Sequence, residues 1–136
     1  MTENTEQSVT NTLQLFLDLD EAASLADQYP ELEKKAIDRF VGLIESLPQK
    51  ANLLSKIAEK NKVIIRIPHR AVYIDAKGAL YESGTALDPR TLAQQYGAEC
   101  CIDYLCSAIA ERKNAIKKKF DSAVSAIAKA NAALSE

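Results

Sequence analysis

The sequence is poor in the residues that build metal sites, disulfide frameworks and tight turns. Its 136 residues contain one histidine, three cysteines, four glycines, four prolines and no tryptophan. It has no CxxC pair, no glycine-rich phosphate loop, no GxSxG elbow and no HExxH pair. We therefore expect no catalytic residue, no metal and no cofactor, and we predict that the protein is not an enzyme.

Long hydrophobic runs are also missing from the chain. No apolar run comes near the length that a membrane span needs. The N-terminus has acidic residues where a secretory signal peptide would be basic. We therefore expect no membrane association and a cytoplasmic location.

Charge is distributed unevenly, although the net charge is only −2. Residues 1–30 contain no base, and they hold six acids, namely Glu3, Glu6, Asp18, Asp20, Glu21 and Asp27. Bases predominate in residues 48–72 and again in residues 109–121. These two basic stretches can face an external anion or the chain's own acidic start.

Length and composition are those of one globular domain, with 47% hydrophobic and 26% charged residues. Residues 1–11 have no apolar period, so we predict a flexible acidic tail there and a single helical domain over residues 12–136. The predicted fold is α+β and mainly α. It combines a helical domain with a small three-stranded antiparallel β-meander and a long C-terminal helix.

Three helices are predicted before the meander, over about residues 20–28, 30–47 and 49–61. Pro30 suits the first position of a helix because acids follow it, and Pro48 ends that helix and begins the next. Residues 12–19 are ambiguous, because their leucines alternate as in a strand but also fit one helical face. We favour a helix there, since the segment is rich in leucine and not in β-branched residues.

The meander is predicted over residues 63–82, where the apolar period changes from helical to alternating. Its first turn is Pro68-His69-Arg70, where the histidine is expected to be exposed. Its second turn is Asp75-Ala-Lys-Gly78, which places a glycine in the left-handed conformation. Tyr73 and Tyr81 lie on adjacent predicted strands, where their rings can pair.

The long helix is predicted over about residues 89–134, with Asp88 as its cap and no breaker after Gly97. Apolar residues recur along it at alternating spacings of four and three, which is a heptad seam. The seam residues singled out are Ile102, Ile109, Ile116, Phe120, Ile127 and Leu134. Buried against a second copy the seam gives a coiled-coil dimer, and buried against its own chain it gives a compact helical bundle.

This seam leads us to predict a non-enzymatic interaction or regulatory protein. A helix of that length reaches roughly 55 Å at about 1.5 Å per residue, which is longer than a domain of this size is wide. Part of it must project, fold back or pack on another chain. We expect a protein partner, with a homodimer preferred.

An alternative prediction is a winged-helix-like transcriptional regulator that binds DNA. The chain has the order helix, corner, helix, basic hairpin, and residues 66–78 resemble the wing of the multiple-antibiotic-resistance-type repressors. This resemblance covers thirteen residues and implies DNA binding. The residues expected near the phosphate backbone are Lys50, Asn52, Lys56, Lys60, Arg66 and Arg70.

A third prediction concerns three cysteines within seven residues, Cys100, Cys101 and Cys106. Because the number of cysteines is odd and they lie so close together, we expect no framework of structural disulfides. We expect small, buried, inert thiols, and a cysteine-based thiol sensor is the alternative.

Overall fold

A computed structural model describes the backbone of residues 2–135 and the side chains of residues 5–135. The chain divides into two units, Met1–Ala36 and Ile37–Glu136. The fold is α+β and mainly α, as predicted. Its elements in chain order are α1 (Thr2–Ser46), a 3-10 turn (Leu47–Lys50), α2 (Ala51–Ile57), β1 (Lys62–Ile65), β2 (Val72–Asp75), β3 (Leu80–Glu82), β4 (Thr85–Ala86), α3 (Pro89–Tyr96) and α4 (Ala98–Ser135).

The first helix differs from the prediction at both of its expected boundaries. The predicted tail over residues 1–11 is helical from Thr2, and Met1 lies outside the described residues. The predicted helices over 20–28 and 30–47 are one helix with Pro30 in its interior. The proline removes the hydrogen bond to the Ala26 carbonyl, but Ala26 is exposed, so water can satisfy that oxygen. For residues 12–19, the favoured helix is confirmed.

The second helix, α2, is shorter than its predicted span of 49–61. The chain leaves the helix at Ala58, which is extended, because a tight turn begins there. Lys60 and Asn61 both adopt positive φ angles, at 55° and 66°. Around them Glu59 and Lys62 exchange two backbone hydrogen bonds of 3.0 and 3.2 Å, which starts the sheet.

The sheet is antiparallel in the order β1-β2-β3-β4, so the prediction of three strands is one strand short. The additional strand, β4, has only two residues and follows the turn at Ser83 and Gly84. Alternation along the strands buries one face, which carries Val63, Ile65, Val72, Ile74 and Leu80. On the other face Tyr73 and Tyr81 are cross-strand partners, and their rings stack at 5.5 Å.

The predicted turn between β2 and β3 is confirmed. It packs against the 3-10 turn Leu47–Lys50, which joins α1 to α2 and which we call the helical corner. The Asp75 carboxylate accepts two backbone N–H groups of the turn, at 3.0 and 2.9 Å. Gly78 has a φ of 90° and is buried. A Cβ at this position would lie 2.6 Å from backbone atoms of Leu47 and of Pro48, so only glycine lets the turn approach the corner.

The predicted C-terminal helix over 89–134 is two helices. Asp88 caps α3 as expected, with its side chain accepting the Arg90 N–H at 3.3 Å. Gly97 then interrupts the helix with a φ of 87°, and its N–H donates to the Ala93 carbonyl at 2.8 Å. Glycine adopts this positive φ without steric cost, so the chain can end one helix here and begin the next at Ala98.

The core lies within the second unit. The end of α1, α2, the inner face of the sheet, α3 and the first part of α4 enclose it. The buried side chains are all apolar: Ile37, Phe40, Ile44, Leu54, Val63, Ile65, Ile67, Val72, Ile74, Leu80, Leu92, Ala93, Ala98, Cys101, Leu105 and Ala108. No described residue beyond Ala108 is buried, and Ile109 is the last described α4 residue that packs against the core.

Candidate interaction surface

The predicted seam on α4 passes from partly covered to uncovered along the helix. Ile102 and Ile109 are partly buried and pack against the core, beside the buried Leu105. Further along, the exposed fraction rises to 66% at Phe120 and 85% at Leu134. The structure therefore divides the six predicted seam residues into two that support the core and four that contact solvent.

The exposed apolar residues form one stripe along the second half of α4. They are Ile116, Phe120, Val124, Ile127 and Leu134, which we call the α4 stripe. At about 100° per residue, the first four lie within about 80° of arc, so they point in one direction. Val124 was not among the predicted seam residues. Its spacing from Phe120 and Ile127, four and three residues, is the signal that could have found it.

A groove lies where the stripe meets the packed part of the protein. It has a volume of about 380 Å³ and is lined by Ile57, Ile109, Lys113, Ile116, Lys117 and Phe120. Arg112 links α4 to the side of the groove that contains Ile57. Its guanidinium donates to the Ile57 carbonyl at 2.7 Å and pairs with Glu59 at 3.0 Å. The stripe is thus continuous with a supported concave surface at one end.

Positive charge lies beside the stripe, since Lys113, Lys117 and Lys119 point within about 100° of its centre. From Arg112 to Ser135 the only acid is Asp121, and the bases are Arg112, Lys113, Lys117, Lys118, Lys119 and Lys129. The five lysines are exposed, and none has a hydrogen bond or ion pair to another described residue. They therefore leave a net positive surface free for an external partner.

The first unit carries a second exposed apolar surface, which the sequence analysis did not identify as a site. Every described side chain from Thr5 to Ala36 is exposed. The large apolar ones are Val9, Leu13, Leu15, Phe16, Leu17, Leu19, Leu25, Tyr29 and Leu32, and we call residues 9–32 the N-terminal apolar segment. Leu15 and Leu17 point about 200° apart, so the segment is apolar on more than one side. Helices with this pattern are usually covered.

The residues predicted to bind DNA are not equivalent in the structure. Lys50, Asn52, Lys56 and Lys60 are exposed, and their side chains have no partner in the described part of the chain. Arg66, in contrast, makes three hydrogen bonds of 2.8 to 3.1 Å to the Glu111 carboxylate.

Arg70 is held still more firmly. It pairs with both carboxylate oxygens of Glu82, donates to Gln95 at 2.6 Å and lies 5.5 Å from the centre of the Tyr96 ring. Hydrogen bonds from Arg70 lower the pKa of Glu82, and hydrogen bonds from Arg66 lower the pKa of Glu111. Both arginines are thus already paired with carboxylates, which leaves three lysines, Lys50, Lys56 and Lys60, and the polar Asn52 as the unpaired residues of this set.

The three cysteines also differ in their surroundings. Cys101 is buried, its thiol lies 3.7 Å from the Leu92 carbonyl, and burial raises its pKa. Cys100 and Cys106 are exposed. The expectation of buried thiols is confirmed for Cys101 and is wrong for the other two, because on a helix residues one and five positions apart do not all share a face.

Other kinds of site are not apparent in the described residues. His69 is exposed in its turn, with a φ of 62°. Residues 5–135 contain no group of three or more histidine, cysteine or acidic side chains that could hold a metal ion. None of the described helices combines the length and the apolar character that crossing a membrane requires. In comparisons with known proteins, no family model, curated protein or solved structure matches the chain.

Proposed function

We propose that the protein is a non-enzymatic interaction protein that binds a protein partner through the α4 stripe. The observation that carries this proposal is the line of large apolar side chains on an uncovered helix. Phe120, Val124 and Ile127 are between 52% and 66% exposed. Fully burying each such side chain is worth about 1.5–3 kcal/mol, so a partner that covers the stripe gains substantial free energy.

The shape of the surface fits a helical partner. Its apolar residues recur at the spacing that lets a second helix lie along them, and the groove beside Ile57 provides a fixed end. Lys113 and Lys117 line that groove, so a partner with acidic residues beside its apolar face is favoured. We propose this association, in the cytoplasm, as the function of the long helix.

Site-specific photo-crosslinking in the cells that make the protein tests this function whatever the partner is. A benzoylphenylalanine replaces Phe120 in the stripe, and in a matched control it replaces Ser122, which points about 200° away. We expect a covalent adduct from position 120 and none from position 122. Absence of an adduct at position 120, or equal adducts at both positions, would contradict the proposal.

DNA binding is the second candidate, and it is supported by the four exposed, unpaired side chains Lys50, Asn52, Lys56 and Lys60. Phosphate contacts by several lysines make binding strongly dependent on salt. We expect the double variant Lys56→Ala, Lys60→Ala to bind a mixed duplex DNA pool more weakly at low salt than the variant Lys77→Ala. If the native protein does not bind the pool at low salt, this candidate is excluded.

A further inference from the structure

We propose that the α4 stripe is covered by the N-terminal apolar segment of a second copy of this chain, so that two copies cover each other's exposed helices. The inference rests on the proposed function, since it names the partner of the same stripe. It accounts for both large exposed apolar surfaces of the protein with one kind of contact.

Charge complementarity selects this pairing over the alternatives. From Thr5 to Pro30 the chain has no base and five acids, Glu6, Asp18, Asp20, Glu21 and Asp27. The second half of α4 has five unpaired lysines and one acid, and three of these lysines, Lys113, Lys117 and Lys119, lie beside the stripe. Packing two α4 stripes together would bring lysine near lysine, and packing two N-terminal segments together would bring carboxylate near carboxylate. The mixed contact places opposite charges beside each other.

The N-terminal apolar segment is also longer than the α4 stripe. Val9 to Leu32 spans about 35 Å along a helix, and Ile116 to Leu134 spans about 27 Å, at about 1.5 Å per residue. One N-terminal segment can therefore cover the whole stripe with one of its sides.

The side-chain sizes of the two helices are complementary as well. The N-terminal apolar segment is rich in leucine, which is a large residue. The second half of α4 places small residues beside its large ones, among them Ala123 and Ala130. Large side chains of one helix pack well into the gaps left by small ones on a neighbour.

Because the N-terminal apolar segment of each copy covers the α4 stripe of the other, the assembly is complete with two copies. Each copy offers one acidic apolar helix and one basic apolar stripe, so a symmetric pair forms the same contact twice and uses each surface of each chain once. The expected particle has twice the chain mass of 14.9 kDa.

Charge exchange on the full-length chain tests the pairing. One variant carries Asp18→Lys, Asp20→Lys and Glu21→Lys, and the other carries Lys113→Glu, Lys117→Glu and Lys119→Glu. We measure solution mass by light scattering at moderate salt. The native chain is expected to be a dimer and each variant alone a monomer. Their equimolar mixture is expected to return to the dimer mass, because both of its contacts pair opposite charges.

A chain that carries all six substitutions is the matched control, because it keeps the native net charge and restores complementarity. We expect it to dimerise, which also shows that the substitutions permit folding. A monomeric native chain, a dimer that survives the three substitutions in α1, or a mixture that stays monomeric would each overturn the inference.

The photo-adduct at position 120 separates this inference from the proposed function. We expect it to have the mass of two chains, with the crosslinked peptide coming from residues 9–32. An adduct with a different protein would overturn the second-copy inference and leave the proposed function standing. An adduct within one chain would overturn both.

Discussion

The two halves of α4 carry the same spacing of apolar residues in different surroundings. In the first half Leu105 is 8% exposed and belongs to the core, whereas in the second half Phe120 is 66% exposed. The period of a helix therefore identifies which face is apolar, but it does not identify what covers that face. The first half stabilises the domain, and the second half remains available for a partner.

Replacing one large apolar side chain by alanine in each half of α4 is expected to give the largest difference in the free energy of unfolding. Leu105→Ala removes buried methyl groups and is expected to lower the free energy of unfolding by about 2–5 kcal/mol at every protein concentration. Phe120→Ala is expected to change the stability of the separated chain by no more than about 0.5 kcal/mol, with any larger loss appearing only at high protein concentration. Urea denaturation at two protein concentrations measures both. Equal, concentration-independent losses would remove the distinction between the halves.

Two glycines in the turns of the sheet, Gly78 and Gly84, test how tightly the second unit is packed. Gly78 and Gly84 both have positive φ angles, but only Gly78 faces a backbone that a Cβ would strike. We expect Gly84→Ala to cost about 1 kcal/mol through conformational strain, and Gly78→Ala about 3 kcal/mol because steric conflict adds to it. Urea denaturation of the two variants compares them directly. A smaller loss for Gly78→Ala would contradict the contact with the corner.

The ion pair of Arg70 and Glu82 predicts a smaller, pH-dependent effect in the packed region. Arg70 lowers the pKa of Glu82 below its ordinary value of 4.5, so the pair stabilises the fold fully above that value. The stabilisation is lost as pH falls from 4.5 through the lower pKa of the folded state. We expect the native chain to be more stable than Glu82→Gln near neutral pH, with the difference shrinking below pH 4.5. A difference that grows in acid would exclude the assignment.

The last prediction concerns the reactivity of thiols and not the stability of the fold. It compares two faces of the first half of α4. Cys100 and Cys106 are exposed, whereas Cys101 is buried with a raised pKa. A thiol reagent is expected to modify two cysteines in the native protein and the third only after denaturation. Labelling of native Cys100→Ser, which should leave one reactive thiol, checks the assignment. If no cysteine of the native protein is labelled rapidly, the thiol sensor is also excluded.

Local signals predicted much of the fold. Asp88 followed by Pro89 marked the start of α3, and the spacing of Asp75 and Gly78 marked the turn that the structure contains. The two-residue strand β4 was missed because it is too short to show a period. Gly97 was visible in the sequence, but a single glycine is compatible with a continuous helix, so the break between α3 and α4 was missed.

Pro30 shows why the first helix was misjudged. Proline is typical of a helix start, so the sequence favoured a boundary there. The helix nevertheless continues, because only one hydrogen bond is lost and the carbonyl concerned lies on an exposed residue. The apolar residues on either side, Leu19 and Ala26 before it and Ile37 after it, remain in helical phase across the proline.

The candidate surface was predicted in part. Helical spacing identified most of the α4 stripe, but the point at which the core ends depends on contacts between distant residues. The pairing of Arg66 in the basic patch was not predicted for the same reason, since its partner is Glu111, forty-five residues later. Ion pairs of that separation cannot be derived from local composition.

The close approach of Gly78 to the Leu47–Pro48 backbone couples the lengths of two connections that lie far apart in sequence. Surface turns ordinarily tolerate inserted residues, because nothing opposes their growth. Here an insertion in the glycine turn would push against the helical corner, and an insertion in the corner would push against the turn. Length variation among proteins with this fold is therefore expected at Ser83 and Gly84, where the space is open, and a peptide tag or a reporter inserted there should be accepted.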